Sequence, residues 1–519
     1  PSALAGVALV ALTLALGTRL LGRETGALGA ALLATVFTFS HLARRVQLDV
    51  LLAALETAAL FLFWRIDRGI GRRWPQVVAL HALLALAVLT KGPVGFLVPL
   101  LVALATLALD GRLREIGRAF PLVALPLSLG PGLVWLAAAQ STAPDGVAAG
   151  AVVQDLLGRF FRGTSHERPL YYYLYTFPVD FLPWTLLGPA VWIAGRRLFA
   201  REGAVATRGG VAAAPDGAAA GAAPEGERRS ARPGAAEGRA VALHGERRRE
   251  GACRAWRFLL AWVGASVVFF SLSGGKRGLY LLPAYPAAAL LSADALVRVL
   301  AGRSTLPRAV GAPLAAATAL VGVAGAAAVL GATAGPSFER LREALADVDA
   351  RFLLGFGVAA LASVAAAVAA FVVSGRHRVA ALRRLWIAVA AAFAVELAIF
   401  LLLYPALDRG RSPRPIAEAA AAATPAGEPV GLVSDRAMLG GLVYYGGRRV
   451  VPLRSEASIR RFLDGGGRTF VVKARKLERV GAVAAVREVA RLRAGRRAVL
   501  VVRADGAAGP PLSGAQGVR

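Results

Sequence analysis

Long apolar stretches alternate along the whole chain with short polar loops. The break TKGP at 90–93 separates two short stretches, which predicts a tight hairpin or a broken helix. A transmembrane helix needs about 20 consecutive apolar residues, so the pattern predicts a polytopic α-helical membrane protein with about 12 transmembrane helices. The stretches lie at 3–21, 26–43, 48–66, 76–90, 93–109, 119–139, 173–194, 256–272, 279–299, 309–332, 352–373 and 384–404.

One internal segment departs from this pattern. Residues 200–250 are rich in Ala, Gly, Pro, Arg and Glu and have almost no aromatic residues. Such a composition does not bury enough apolar surface to form a core, so a disordered cytoplasmic loop is predicted over 196–254. This loop divides the predicted transmembrane core into a first part at 1–195 and a second part at 255–404.

The C-terminal region has a different pattern. Short β-type runs alternate with helical stretches over residues 405–519, which predicts a small extracytoplasmic α/β domain. The four runs are PVGLVS (429–434), RRVVPL (448–453), TFVVKA (469–474) and RAVLVV (497–502).

Composition narrows the class of protein. The 519 residues are 56% hydrophobic, with a mean hydropathy of +0.57 and a net charge of +29. The arginines cluster in short loops and form no basic-aromatic groove, which argues against a nucleic-acid partner. The single cysteine, Cys253, excludes an internal disulfide framework and a cysteine-based metal site. No P-loop or dinucleotide fingerprint is present, so no nucleotide cofactor is predicted.

The arginine distribution predicts the topology, because cytoplasmic loops carry an excess of Lys and Arg. Alternate loops are arginine-rich and are predicted to be cytoplasmic; they lie at 19–23, 65–73, 112–118, 195–255, 303–308 and 376–384. The other loops are then predicted to face outward, together with Pro1 and the C-terminal domain; they lie at 44–49, 90–93, 140–172, 273–278 and 333–351.

Several cations break this rule by lying in outward loops. The chain has four lysines, and the two in the membrane part, Lys91 and Lys276, lie at the tips of outward hairpins. Arg168 lies in another outward loop, close to His166. Such a cluster suits a phosphate, for which lysine supplies a compact point charge. The alternative is that these cations pair with lipid headgroups and that His166 is an ordinary loop residue.

Three ionisable residues lie deep in the apolar stretches: Glu56, His81 and Glu396. Groups at that depth face a bundle interior or a cavity. Glu56 follows Asp49 by seven residues and therefore shares its helix face. Buried, hydrogen-bonded structural roles are expected for Glu56, His81 and Glu396.

Four motifs occur together in a recognisable order: ARRVQLDVLL (43–52), LAVLTKGPVGFLVPLL (86–101), HERPLYYY with FLPWTLLGPA (166–190) and FFSLSGGKRGLYLLPAYPAAALL (269–291). They resemble the bacterial branch of the protein O-mannosyltransferase superfamily, in particular the lipid A aminoarabinose transferases. The resemblance implies a GT-C fold and an inverting enzyme that takes a sugar from a polyprenyl-phosphate carrier at the periplasmic face. It also implies a further helix and the catalytic aspartate upstream of Pro1.

The resemblance assigns roles to particular residues. Asp49 matches an acidic residue that supports catalysis. Lys91, Lys276 and Tyr280 match residues that bind the substrate, and Arg168 is expected to join them at the carrier phosphate. His166 matches a histidine implicated in binding a divalent metal ion, which is the one cofactor expected.

The resemblance therefore predicts a glycosyltransferase of the bacterial inner (plasma) membrane. Its predicted partners are a polyprenyl-phosphate-linked sugar, a lipid, glycan or protein acceptor, and membrane lipids. The alternative is a transporter or flippase of a lipid-linked or anionic substrate, because transporters also have intramembrane acids and broken helices. No repeat relates the two halves of the chain, which disfavours that alternative.

Overall fold

The computed structural model describes residues 1–142, 168–211, 233–300, 378–403, 412–433, 438–494 and 497–504, with single positions at 323, 354–355, 357–358 and 361. The chain divides into two compact units. One consists of Pro1–Leu320 with Val364–Glu396, and the other of Val321–Ser363 with Leu397–Arg519.

The first unit is helical. Its helices are α1 (Ser2–Leu21), α2 (Arg23–Ala34), α3 (Phe37–Ala43), α4 (Leu48–Asp67), α5 (Arg73–Lys91), α6 (Val94–Leu109), α7 (Leu125–Thr142), α8 (Tyr172–Asp180), α9 (Gly188–Val211), α10 (Pro233–Leu272), α11 (Tyr285–Leu300) and α12 (Arg378–Ala398). Short 3₁₀ segments lie at Leu113–Arg118, Leu122–Ala124, Trp184–Leu187 and Gly278–Ala284. The last residues of α12 and the π-helical turn that follows it, Ile399–Leu403, belong to the second unit.

Within the described residues, five helices are long and apolar enough to cross a membrane, or seven if each bent pair is one span. The bent pairs are α2 with α3, at 68°, and α8 with Trp184–Ala200, at 105°. The predicted third and fifth stretches are helices too, although α4 contains several charged residues and α6 has 16 residues. The stretches at 309–332 and 352–373 lie outside the described residues, so the count of twelve stays a prediction.

Helix occupies part of the segment predicted to be a disordered loop. Helix α9 continues to Val211 and α10 begins at Pro233. Alanine, arginine and glutamate have high helix propensities, so an apolar helix continues through them without a core of its own. Helix thus enters this segment from both ends, and residues 212–232 lie outside the described part, so a disordered loop stays a prediction.

A buried carboxylate joins three helices of the first unit. Asp294 on α11 accepts hydrogen bonds from Trp256 Nε1 at 2.6 Å and from Thr25 Oγ1 at 3.3 Å, and it pairs with Arg298. Helix α11 packs closely against α2, where an added Cβ at Gly29 would meet Leu290. Small residues of this kind let helix backbones approach each other in membrane proteins.

Two of the arginine-rich loops contact each other at one end of this unit. Arg112 pairs with Asp67 at 3.0 Å, and Arg257 pairs with Asp110 at 3.1 Å. Arg112 and Arg118 hydrogen-bond the Glu115 carboxylate and lower its pKa to about 2. These contacts confirm that the loops at 65–73 and 112–118 share one side, as their composition predicted.

The second unit contains a five-stranded sheet of order β2-β1-β3-β5-β4. Its first three strands in that order are parallel, and the last two pair antiparallel. The strands are β1 (Val430–Val433), β2 (Val450–Leu453), β3 (Thr469–Lys473), β4 (Val486–Ala494) and β5 (Arg497–Ala504). Helices α13 (Arg414–Ala422), α14 (Leu439–Gly446), α15 (Glu456–Asp464) and α16 (Glu478–Gly481) accompany them.

Both faces of this sheet are covered. Val471 packs with α13 and α14 on one face, whereas Phe470 and Val472 pack with α15 and α16 on the other. Burial on both faces explains the continuous apolar runs of the strands, which made them visible in the sequence. All four predicted strands are confirmed. Strand β4 was not predicted, because arginines interrupt its apolar positions. It lies at the edge of the sheet, where charged side chains are common.

The α5–α6 contact allows a test of helix packing. A Cβ at Gly95 would lie 2.6 Å from the Ala87 carbonyl oxygen, so Gly95→Ala must push the two helices apart. We expect a loss of about 1–3 kcal/mol, seen as a lower thermal unfolding midpoint in detergent. The control is Gly264→Ala on α10, because a Cβ added there would meet no atom of another segment within 4 Å. We expect this substitution to leave the midpoint unchanged or to raise it. Equal midpoints for both variants would contradict the packing described here.

Candidate active site

The TKGP break forms a tight hairpin. Helix α5 ends at Lys91, and Gly92 has a φ of +76°, a conformation that favours glycine. Helix α6 begins two residues later at Val94, with Gly95 against the backbone of Ala87. The hairpin thereby fixes Lys91 at the end of the helix pair, at the same level as the start of α4.

Asp49 is the partner of Lys91. It lies in the first turn of α4, where an acidic side chain is favoured by the helix dipole. Its Oδ1 accepts a charged hydrogen bond from Lys91 Nζ, with side-chain exposures of 13% for Asp49 and 29% for Lys91. Both ends of this ion pair are thus largely shielded, and the lysine remains the more accessible partner.

Tyr280 completes a cluster with these two residues. Lys91 Nζ lies 4.6 Å from the centre of the Tyr280 ring, within the range of a cation–π interaction. The other neighbour of the ring is Phe270 on α10, at 5.6 Å. Three residues that the sequence placed at one site, far apart in the chain, therefore lie together.

Lys276 points into the protein instead of out from the hairpin tip. Its side chain is buried, and Nζ donates hydrogen bonds to the carbonyls of Ser273 at 2.5 Å and Arg168 at 3.0 Å. Tyr173 fastens the same turn, because its hydroxyl donates to the Arg277 carbonyl at 3.0 Å and accepts from the Arg277 amide at 3.2 Å. The turn 273–280 is thus held against the segment that starts at Arg168, whose side chain is exposed.

His166 lies outside the described residues. In the part of the chain that the structure describes, no group of three or more His, Cys, Asp or Glu side chains is arranged to hold a metal ion. A metal site at His166 therefore stays a prediction.

The deep ionisable residues differ from one another. His81 is buried and hydrogen-bonded, with Ser128 Oγ at Nδ1 and the Ala119 carbonyl 3.2 Å from Nε2, as expected. Glu56 is also buried, but neither of its carboxylate oxygens has a hydrogen-bond partner among the described residues. The expectation of a hydrogen-bonded structural role is confirmed for His81 and incorrect for Glu56.

Two residues of this neighbourhood escaped the sequence analysis. Tyr173 appears in the sequence only as one of three consecutive tyrosines in the motif HERPLYYY, yet it fastens the turn. Asp180 was not singled out, although its carboxylate lies against Gly278 of that turn. An acid within the apolar segment PVDFLP was the available signal, since such acids are rare and usually functional.

An apolar cavity of about 630 Å³ lies between α8, α9, α10 and α11. Aromatic and aliphatic side chains form most of its lining, among them Phe177, Phe181, Trp184, Leu260, Val263 and Leu291. Such a lining suits a hydrocarbon chain.

Known proteins share this arrangement of helices. Residues 1–124 match the family model for dolichyl-phosphate-mannose-protein mannosyltransferase. Crystal structures of ArnT from Cupriavidus metallidurans, bound to undecaprenyl phosphate and in the apo state, superpose with TM-scores of 0.67 and 0.68. The chain has the GT-C fold. It is thus a multi-pass helical membrane protein with a C-terminal sheet domain, as its sequence predicted.

The likeness to ArnT extends over nearly the whole chain at low sequence identity. The two superpositions have 19% and 18% identity and cover 98% of this chain and 84% of ArnT. A comparison with curated proteins finds no match. The family match covers the segment that contains both Asp49 and Lys91.

A double-mutant cycle tests the Asp49–Lys91 pair. Asp49→Asn and Lys91→Met each leave a shielded charge without its partner, so we expect a coupling free energy of at least about 1 kcal/mol. The measurement is unfolding in detergent of the two single variants and the double variant. The exposed Glu115–Arg118 pair is the control and should show weaker coupling. Additive effects of the two substitutions would contradict the ion pair.

Proposed function

We propose that this protein is an integral membrane glycosyltransferase that moves a sugar from a polyprenyl-phosphate carrier to a lipid, glycan or protein acceptor. The cluster of Lys91 with Asp49 and Tyr280, beside the turn 273–280, is the observation that carries the proposal. A shielded ammonium at the end of a membrane helix suits a phosphate headgroup. The mannosyltransferase family match and the undecaprenyl phosphate bound to ArnT support the same ligand chemistry.

In the reaction that we propose, the sugar's anomeric carbon loses its bond to the carrier phosphate, which leaves with the bonding electrons. The carbon gains a bond to the oxygen of an acceptor hydroxyl, whose proton passes to the departing phosphate or to water. Negative charge grows on the departing phosphate, and Lys91 stabilises it. The exposed Arg168 side chain and the Tyr280 hydroxyl supply further donors. Asp49 keeps the Lys91 ammonium in place. Lys276 holds the turn by donating hydrogen bonds to the backbone carbonyls of Ser273 and Arg168. A single displacement of this kind inverts the anomeric centre.

The apolar cavity supports a lipid-linked donor. Its lining includes Phe177 of α8, the helix on which Tyr173 binds the turn 273–280, and α10 and α11 line it as well. A polyprenyl chain that lies there keeps its phosphate near the charged residues. The proposed location is the bacterial inner membrane, with the cluster on the periplasmic side.

A divalent metal ion at His166 is part of the sequence prediction. The described residues do not assemble a ligand set for it, so no step of the proposed reaction passes through a metal. A transporter or flippase has no specific support from the comparisons, since the family that matches residues 1–124 is one of transferases.

Binding of undecaprenyl phosphate to the purified chain tests the proposal. Loss of a charged contact costs about 1.5–3 kcal/mol, so Lys91→Ala should weaken binding roughly ten- to hundred-fold. Native mass spectrometry or a radioligand assay in detergent measures the change. Arg114→Ala, which removes an exposed cation from the opposite, arginine-rich end, is the control and should leave affinity unchanged. Equal affinities of wild type and Lys91→Ala would contradict the proposed phosphate site.

Lys276 is expected to contribute through the turn as well as through charge. Lys276→Ala leaves the Arg168 and Ser273 carbonyls without their donor, so both undecaprenyl phosphate affinity and thermal stability should fall. Lys276→Arg should lose less, because it keeps the charge and the donors but has a planar group. An unchanged affinity for Lys276→Ala would remove this residue from the site.

A further inference from the structure

Asp180 has no role in the site described above, yet it lies against that site. It shares a face of α8 with Phe177, three residues earlier, and with Tyr173, seven residues earlier. The Tyr173 hydroxyl binds the backbone of Arg277, and the Asp180 carboxylate lies next to Gly278. The acid is therefore placed at the turn that carries Tyr280.

Gly278 makes this approach possible. A Cβ at position 278 would overlap Asp180 Oδ2 and would lie 3.3 Å from Asp180 Cγ. Any larger residue would push the carboxylate away from the turn. The lack of a side chain at 278 thus leaves room for the acid beside the substrate residues.

The Asp180 carboxylate is half-buried. Among the described residues, no side chain or backbone group donates a hydrogen bond or forms an ion pair to Asp180, although its side chain is only partly exposed. Asp294, the structural acid of α11, has three partners in contrast. A half-buried carboxylate without a partner costs stability, and an ionisable group in a membrane segment usually serves function.

Three tyrosines lie near this carboxylate. Tyr172, Tyr173 and Tyr285 lie within electrostatic reach of Asp180. Among the described residues the two lysines of the site, Lys91 and Lys276, are engaged by Asp49 and by backbone carbonyls respectively. A carboxylate repels a phosphate and accepts hydrogen bonds from hydroxyl or ammonium groups. Its surroundings therefore fit the sugar of a donor and not the phosphate.

We propose that Asp180 binds the sugar of the polyprenyl-phosphate donor by accepting hydrogen bonds from its hydroxyl or amino substituents. This rests on the proposed function and adds a specificity-determining residue to it. The phosphate lies toward Lys91 and Tyr280, and the sugar lies toward Asp180 across the turn. Gly278 is the position that keeps the two halves of the site adjacent.

The experiment compares two ligands on the purified chain: undecaprenyl phosphate and undecaprenyl phosphate that carries a neutral hexose. Asp180→Ala should weaken binding of the sugar-carrying lipid roughly tenfold, the effect of one lost hydrogen bond to a charged group. It should leave binding of the sugar-free lipid unchanged. Val179→Asn, on the exposed face of the same helix, is the control for insertion and folding and should affect neither ligand.

A third ligand, with an amino sugar, separates the two kinds of hydrogen-bond donor. If Asp180→Asn binds the neutral hexose lipid well but the amino-sugar lipid weakly, the carboxylate binds an ammonium group; equal retention means that it binds hydroxyls. An Asp180→Ala variant that loses both the sugar-free and the sugar-carrying lipid, or neither, overturns the proposal. Failure of the wild-type chain to bind any of the three lipids would instead contradict the proposed function.

Discussion

The ion pair of Asp49 with Lys91 is the interaction on which the site depends. An unpaired charge at a membrane helix end is costly, and the pair satisfies both charges while joining the start of α4 to the end of α5. It also holds the ammonium over the ring of Tyr280, so the turn 273–280 contacts the same ion pair. Gly92, with its positive φ, ends α5 directly after Lys91 and so places the lysine at the end of that helix.

The two ends of the helical unit use their cations differently. At the arginine-rich end, Arg112 and Arg257 pair with acids of neighbouring loops and hold those loops together. At the other end, the Lys91 ammonium pairs with the Asp49 carboxylate and lies over the Tyr280 ring. Lys276 donates its hydrogen bonds to backbone carbonyls. The first arrangement stabilises loops, whereas the partly exposed Lys91 keeps positive charge at a place that an anionic headgroup can reach.

Local patterns predicted much of this arrangement. Thr-Lys-Gly-Pro at 90–93 predicted the hairpin, continuous apolar runs predicted four strands, and the motif order predicted that Asp49, Lys91 and Tyr280 belong together. The inward direction of the Lys276 side chain could not be predicted from the sequence, because it depends on the carbonyl of Arg168, 108 residues away. The approach of Asp180 to Gly278 likewise arises only when α8 packs against a distant turn. Contacts of this kind have no local pattern in the sequence.

The most direct measurement is a cryo-electron microscopy structure of the chain in a nanodisc with undecaprenyl phosphate. We expect phosphate density beside the turn 273–280, within hydrogen-bond distance of Lys91 Nζ, with the Asp49 contact retained. Isoprenoid density should extend toward Phe177 and Phe181 into the apolar cavity. Phosphate density at the arginine-rich end, or a Lys91 that stays covered by protein with the lipid elsewhere, would contradict it.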